Sequence, residues 1–414
     1  MTPDRVISAP WLSLPATQAV FAALEGGGYT ARAVGGIVRN TLLGLPATDI
    51  DIATDAVPAE TMRLAKAAGL KTVATGIAHG TVTLIARGIP FEVTTLRRDV
   101  ATDGRHALVA FTGDWAADAA RRDFTINALY CSRDGQIFDP LGGMADLDPV
   151  KIRFIGSAGE RICEDYLRIL RFFRFSATYC ADGVIDRDGL TACIAHRAGL
   201  ARISGERIRT ELMKLLAARH SLEVTTVLAS SGVFSAMFDQ VALLDGLSRM
   251  VAIDGVVKHP PDPLLRFAAL AVQTAVDVAA FDMRLKFSAR DRNRLMAVVD
   301  NHGRIDAAMT VEEAQRAAYQ MGMAGYLDAV LLNWVRGTRT VDDAAYVQLA
   351  ALPQRWTMPV FPLSGADVRA LGIAPGPLIG AVLRAVEKDW VAGGFAENRT
   401  ALLEVVRARV GASD

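Results

Sequence analysis

The sequence predicts an α+β chain whose sheet lies in its first third. Two observations carry this: up to about residue 150 short β-branched runs alternate with turns, and from there onward apolar residues recur at helical spacing. The expected organisation is a mixed sheet with helices over 1–150 and a mostly helical chain over 151–414.

The strand candidates come in order as TARAVGGIV, DIDIAT, GTVTLIARGIPFEVTTL and the stretch around FTINALYCSRDGQIFDP. GTVTLIARGIPFEVTT reads as a hairpin turning at Arg87-Gly88, with one face buried and one exposed. Arg97 to His106 is charged, contains Gly104 and lacks periodicity, so it reads as a mobile loop. The helix candidates are EDYLRILRFFRFSATY, ERIRTELMKLLAAR, PLLRFAALAVQTAVDVAA, VEEAQRAAYQMG and PLIGAVLRAVEKDWVAG, interrupted by Gly and Pro. No repeat period and no low-complexity segment is visible.

Composition narrows the function classes. With 414 residues, 51% of them hydrophobic and 22% charged, the chain can bury several cores. No apolar run approaches the roughly 18 to 20 residues of a membrane span, and MTPDRVISAP lacks the pattern of a secretion signal. The four cysteines have no CxxC spacing, which points away from zinc and from a disulfide framework. A cytoplasmic protein is expected. The 45 basic residues balance 45 acidic ones, so global charge does not favour nucleic acid; a basic surface would have to be local, as in the arginine-rich stretches 161–174 and 197–209.

Asp49-Ile50-Asp51-Ile52 is the most suggestive chemical segment. On a strand, residues i and i+2 share a face, so both carboxylates would project together while Ile50 and Ile52 enter the core. Two close carboxylates repel unless they share a proton or a cation, and a hard divalent ion such as Mg²⁺ satisfies them. A calcium loop does not fit, because Ala53 and Thr54 stand where such a loop needs a ligand and a glycine. Just upstream, Gly35 and Gly36 follow a strand and lead into a helix with Arg39 one turn on. Bare backbone amides and a guanidinium suit phosphate. Gly26-Gly27-Gly28 formally fits a dinucleotide fingerprint but follows a helix and precedes a strand, the reverse of what that site requires, so it reads as a helix end and turn.

GGIVRNTLLGLPATDIDIAT resembles the signature of class II tRNA nucleotidyltransferases and bacterial poly(A) polymerases, of the DNA polymerase β-like superfamily. The resemblance continues in order: Arg121 to Leu129 with the family's RRDFTINA motif, Asp139 to Gly143 with Asp146-Leu147 as a hinge motif, Glu164 to Arg171 as the EDxxR nucleotide-template motif, and Ile203 to Ile208 with Glu211-Leu212 as the last motif of the neck. Five motifs span about residues 30 to 216; the remainder matches loosely. Asn40 stands where the family usually has Asp, and Tyr166 where Pro is common. Asn40 would weaken an ion pair that orients Arg39, and Tyr166 would remove a helix-start preference.

The resemblance implies a polymerase-β-like nucleotidyltransferase head over 1–150, a helical neck with the template motif over 151–220, a helical body and tail over 221–414 that bind tRNA, and addition of C, C and A to the 3′ end of tRNA from CTP and ATP. It implies Gly35, Gly36 and Arg39 at the triphosphate, two Mg²⁺ ions on Asp49 and Asp51, Arg121, Arg122 and Asp123 near the ribose, and Asp165 and Arg168 as base template, with Arg171 and Arg174 adding contacts. The chemistry of these residue types is consistent. Asp165 can only accept, as the exocyclic amino groups of cytosine and adenine require, and Arg168 can only donate, matching cytosine N3 or adenine N1. The pair is expected on a helix, facing away from an apolar side of Ile162, Tyr166, Ile169 and Phe173. Glu92 shares the sheet face by alternation and reads equally as a third carboxylate or as a salt-bridge partner. His79 and His106 read as structural or loop residues, since two-metal chemistry needs no general base. A poly(A) polymerase is the nearest rival, a partial enzyme adding only CC or only A to tRNA is another, and a catalytically silent RNA-binding scaffold is the more distant one. No His-Asp dipeptide supports an added hydrolase domain.

Overall fold

The computed structural model describes residues 5–47, 49–103, 106–372 and 376–411. The chain divides into two compact units, 1–241 and 242–414. The boundary expected at 150 and that expected at 220 both fall inside the first unit.

The first unit opens with helices α1 (Pro10–Ser13) and α2 (Pro15–Glu25), each started by a proline whose missing N–H costs a first turn nothing. A sheet of seven strands follows: β1 (Ala31–Val34), β2 (Asp51–Thr54), β3 (Lys71–Gly76), β4 (Thr81–Ala86), β5 (Ile89–Thr95), β8 (Tyr130–Cys131) and β9 (Ile137–Phe138), in the order β3-β4-β5-β2-β1-β8-β9. Only β2 and β5 pair in parallel, so the sheet is mixed. The expected hairpin is present, with Arg87 and Gly88 at φ 49° and 82°, the left-handed pair that suits the twist of a two-residue turn. Helices α3 (Gly36–Leu42), α4 (Pro58–Ala67) and α5 (Trp115–Ala120) are set between strands, and Gly26 to Gly28 form the end of α2 and a turn.

Residues 97–103 and 106–111 are strands, where a loop is expected over 97–106. They form a two-stranded ribbon, β6 (Arg97–Asp103) and β7 (His106–Phe111), with a register shift between Asp99 and Ala101. An irregular ribbon outside the main sheet does not produce a clean period of two, which is why the sequence conceals it. Gly104 and Arg105 of this stretch lie outside the described residues.

The rest of the unit is helical: α6 (Ala158–Glu164), α7 (Leu167–Tyr179), α8 (Arg187–His196), α9 (Gly205–Ala217), α10 (Ser221–Ser230) and α11 (Val233–Phe238). Phe124, Phe154, Phe172 and Phe175 form an aromatic cluster that joins the sheet region to α7, with ring centroids 5.0 to 6.4 Å apart. Helix α10 packs on α7 and α9, burying Val224 and Leu228.

The second unit contains α12 (Leu244–Val257), α13 (Pro263–Ala271), α14 (Ala275–Leu285), α15 (Ala289–Asp300), α16 (Val311–Met321), α17 (Met323–Arg336), α18 (Ala344–Ala350), α19 (Leu352–Arg355), α20 (Gly365–Arg369), α21 (Pro377–Ala392) and α22 (Arg399–Gly411). The run expected as one helix over 263–280 is two. Thr274 and Asp277 form a capping box, which starts a new helix where apolar spacing alone continues the old one. Helix α17 supplies Tyr326, Val330, Leu331 and Trp334 to the core, and a second cluster gathers Val368, Val386, Trp390 and Val406. Among the described residues no helix is long and apolar enough to cross a membrane. All four cysteines are free thiols.

Candidate active site

A cleft of about 500 Å³ in the first unit is lined by Gly35, Gly36, Arg39, Asp51, Arg122, Asp123, Asn127, Asp165, Leu167, Arg168, Arg171, Phe175 and Arg207. Nine residues anticipated from the sequence are therefore together. Asp49 lies just before β2, and Arg121 and Arg174 do not line the cleft.

The acidic face is built by pairing. Ile50 and Ile52 are buried and Asp49 and Asp51 exposed, as alternation requires, although the strand begins only at Asp51. Glu92 sits directly beside Asp51 in the parallel β2–β5 ladder. Asp51 is reached by solvent at the rim of the cleft yet hemmed in by protein. Partial burial, then the charge of Glu92, lifts its carboxyl to about 6; Arg122 opposes this and Asp49 adds to it. Glu92 bears on Asp51 through its charge, and among the described residues neither an ion pair of Glu92 nor a group of three metal-ligating side chains is present. Neighbouring carboxylates without sulfur or imidazole are donors of the kind that a hard divalent cation takes.

Gly35 turns from β1 into α3 with φ 73° and ψ −123°, a conformation that side-chain-bearing residues seldom take. One turn later Arg39 is buried at 5% exposure. Asn40 Oδ1 accepts from its Nε at 3.1 Å and Nη2 at 2.8 Å, Tyr179 Oη accepts from Nη2, and Asn127 Oδ1 accepts from Nη1. Its guanidinium also lies 4.2 Å from the Tyr179 ring centre. The substitution of Asn for the family's Asp therefore does not release Arg39: a neutral carbonyl orients it, while Asn40 Nδ2 donates to the Pro46 carbonyl at 2.8 Å.

The remaining arginines are tied to carboxylates. Asp118 takes Arg121 Nε at 2.9 Å, Arg122 Nη2 at 3.1 Å and the Tyr130 hydroxyl at 2.8 Å. Arg171 grips Asp123 through Nε at 2.8 Å and Nη2 at 2.5 Å. Burial pushes the Asp123 carboxyl up, but Arg171, Asn127 and the Phe124 N–H outweigh it and hold it at about 2. Arg174 Nε donates to Glu211 at 2.5 Å.

The template pair is not the surface i,i+3 pair expected on one helix. Helix α6 ends at Glu164, Asp165 is extended (φ −153°, ψ 104°), and α7 starts at Leu167. Helix spacing therefore does not set the Asp165 to Arg168 geometry. Asp165 Oδ2 accepts from Arg207 Nη2 at 2.6 Å, and Oδ1 from the Leu167 N–H at 3.1 Å. Arg168 Nη1 donates to Glu164 at 2.5 Å and to the Arg161 carbonyl at 2.7 Å, while Nη2 makes a longer 3.4 Å contact to the Arg121 carbonyl. Tyr166, at φ −61°, occupies backbone that proline also adopts. Asn127, Leu167, Phe175 and Arg207 also line the cleft without having been predicted from the sequence, although Asn127, Leu167 and Arg207 lie within the motifs.

A family model described as the poly A polymerase head domain matches residues 31–153, and one described as the probable RNA and SrmB-binding site of polymerase A matches 184–244. The mitochondrial CCA tRNA nucleotidyltransferase 1 of Mus musculus is 36% identical over 92% of this chain and 87% of its own length. The CCA-adding enzyme of Latilactobacillus sakei is 32% identical over 93% and 95%. Among solved structures, the CCA-adding enzyme of Bacillus stearothermophilus in complex with CTP superposes with a TM-score of 0.75 at 26% identity, covering 98% of this chain and 99% of that one. The sheet topology, the ordered motifs and identity sustained along nearly the whole length place the chain in the family of CCA-adding tRNA nucleotidyltransferases.

Proposed function

We propose that this chain adds C, C and A to the 3′ end of tRNA from CTP and ATP, releasing pyrophosphate and using no nucleic-acid template. The observation that carries this reading is one cleft in which Asp51 at the start of the central strand β2, the cations Arg39 and Arg122, and the pair Asp165 and Arg168 all open onto the same space. We place the reaction in the cytoplasm, in keeping with the four free thiols.

The residues divide the work by chemistry. Asp49 and Asp51 would hold two Mg²⁺ ions, with Glu92 as the neighbouring carboxylate. Bound there, the ions supply charge neutralisation for the attacking 3′-hydroxyl and for the departing pyrophosphate. Arg39 and Arg122 meet the triphosphate beside Gly35 and Gly36, where the lack of a side chain lets phosphate approach the backbone. Asp123, locked by Arg171, and Asn127 form the wall next to the ribose. Arg121 and Arg174 act from behind through Asp118 and Glu211. Asp165 accepts from cytosine N4 or adenine N6 and Arg168 donates to cytosine N3 or adenine N1; uracil and guanine present the opposite edges.

The test is incorporation of labelled CTP and ATP, singly and together, into tRNA transcripts ending before CCA, after C and after CC, and into an unstructured RNA. Addition that stops at CCA on tRNA is the expected result. Long A tails on any RNA identify a poly(A) polymerase, and no incorporation with Mg²⁺ present identifies a silent scaffold. Asp51→Asn should lower kcat by at least about a hundredfold, in line with loss of a group that stabilises developing charge.

A further inference from the structure

We propose that Arg207 is the positioning residue of base selection: its ion pair with Asp165 fixes the carboxylate plane that admits cytosine and adenine and rejects uracil and guanine. This inference rests on the nucleotidyl transfer proposed above.

Asp165 needs an external restraint. It stands in the two-residue gap between α6 and α7, in extended backbone, so no helical turn aims its side chain. A carboxylate on such a residue rotates about two side-chain torsions, and a reader that rotates cannot refuse the wrong edge. Two donors stop the rotation here. The Leu167 N–H holds Oδ1 at 3.1 Å, and Arg207 Nη2 holds Oδ2 at 2.6 Å. Each oxygen is anchored once and retains acceptor capacity for a base amino group.

Arg207 is itself held in place. Ile208 and Leu212 on α9 are fully buried, and Glu211, one turn beyond Arg207, takes Arg174 at 2.5 Å and approaches Arg171 at 3.8 Å. Helix α9 is thus clamped along α7 on the side that presents Arg207 to the gap. Arg207 also lines the cleft, and its side chain is 28% exposed. A pair this wet contributes little to folding, so its chief product is orientation.

The rejection step follows from charge. Uracil O4 and guanine O6 bring an acceptor against the carboxylate, and the repulsion discriminates only while Asp165 cannot turn aside.

The experiment measures kcat/KM for CTP and UTP on tRNA lacking CCA, and for ATP and GTP on tRNA ending in CC, in the full chain carrying Arg207→Ala, Arg207→Gln or Arg207→Lys. The CTP/UTP and ATP/GTP ratios should fall on the order of tenfold or more in the Ala and Gln variants, with the loss for CTP and ATP lying mainly in KM. The Lys variant, whose ammonium reaches the same oxygen, should recover much of the ratio. A folding defect alone lowers all four nucleotides together, and thermal unfolding of the Gln variant reports it independently. Wild-type ratios in a folded Gln variant overturn the role of Arg207. Asp165→Asn separates the two levels: if it also leaves the ratios unchanged, the template reading fails, whereas ratios lost in Asp165→Asn and kept in Arg207→Gln defeat the Arg207 inference alone.

Discussion

Arg39 is a buried cation held by dipoles. Its partners are the amide oxygens of Asn40 and Asn127 and the Tyr179 hydroxyl, so its charge is not cancelled before a phosphate arrives. Asn40 also donates to the Pro46 carbonyl, which no carboxylate can do, and this ties Arg39 to the stretch leading to Asp49. Restoring the family's residue with Asn40→Asp should therefore be harmful: about 1 kcal/mol less stable by denaturant titration, with a raised KM for CTP. An equally stable variant would show that the amide does not hold this stretch. Asp123 gives a pH signature. Its carboxyl is held at about 2 against an ordinary 3.8, so its stabilisation is complete above 3.8 and is lost as pH falls towards 2. In Asp123→Asn, which removes the titrating group, stability should fall less steeply over that interval. The sequence displayed Asp49 and Asp51 through residue type and spacing, and Arg122, Asp165 and Arg168 through the resemblance of the motifs that contain them. It did not display Asp118, Tyr179 or Arg207, whose partners are set by folding.

At the level of elements, what was legible depended on how regular each one is. The β4–β5 hairpin follows from clean alternation around Arg87-Gly88, whereas β6–β7 is broken by a register shift and β3 carries a further irregularity between Val73 and Gly76. The gap between α6 and α7 was invisible because apolar spacing continues across it, with Ile162, Ile169 and Phe173 all buried as expected. Only the backbone at Asp165 breaks. The turn from β1 into α3 offers a direct test. A Cβ at Gly35 would meet Arg122 and Asn127 at an ordinary 3.7 Å, so the obstacle is the positive φ alone. Gly35→Ala should cost about 1 to 3 kcal/mol in denaturant unfolding. A smaller loss would mean that the turn relaxes.

At the scale of the whole molecule, the cleft belongs entirely to the first unit, and α10 and α11 belong with it. A fragment ending at 241 should bind CTP, as read by calorimetry. One ending at 220 removes α10 with its buried Val224 and Leu228, uncovers the faces of α7 and α9 against which that helix packs, and should unfold at markedly lower denaturant concentration. Periodicity makes α9 and α10 look alike as helices, and their packing places both in the first unit. The pairing of arginines with carboxylates has a kinetic face as well. Arg121, Arg122, Arg168, Arg171, Arg174 and Arg207 each spend charge on a neighbouring acid, in a chain with 45 residues of each sign. Such a molecule exerts little long-range pull on a polyanion, so encounter is governed by diffusion and fit. The slope of log kon against log salt should be shallow, and a finished tRNA should depart without a strong field to hold it back.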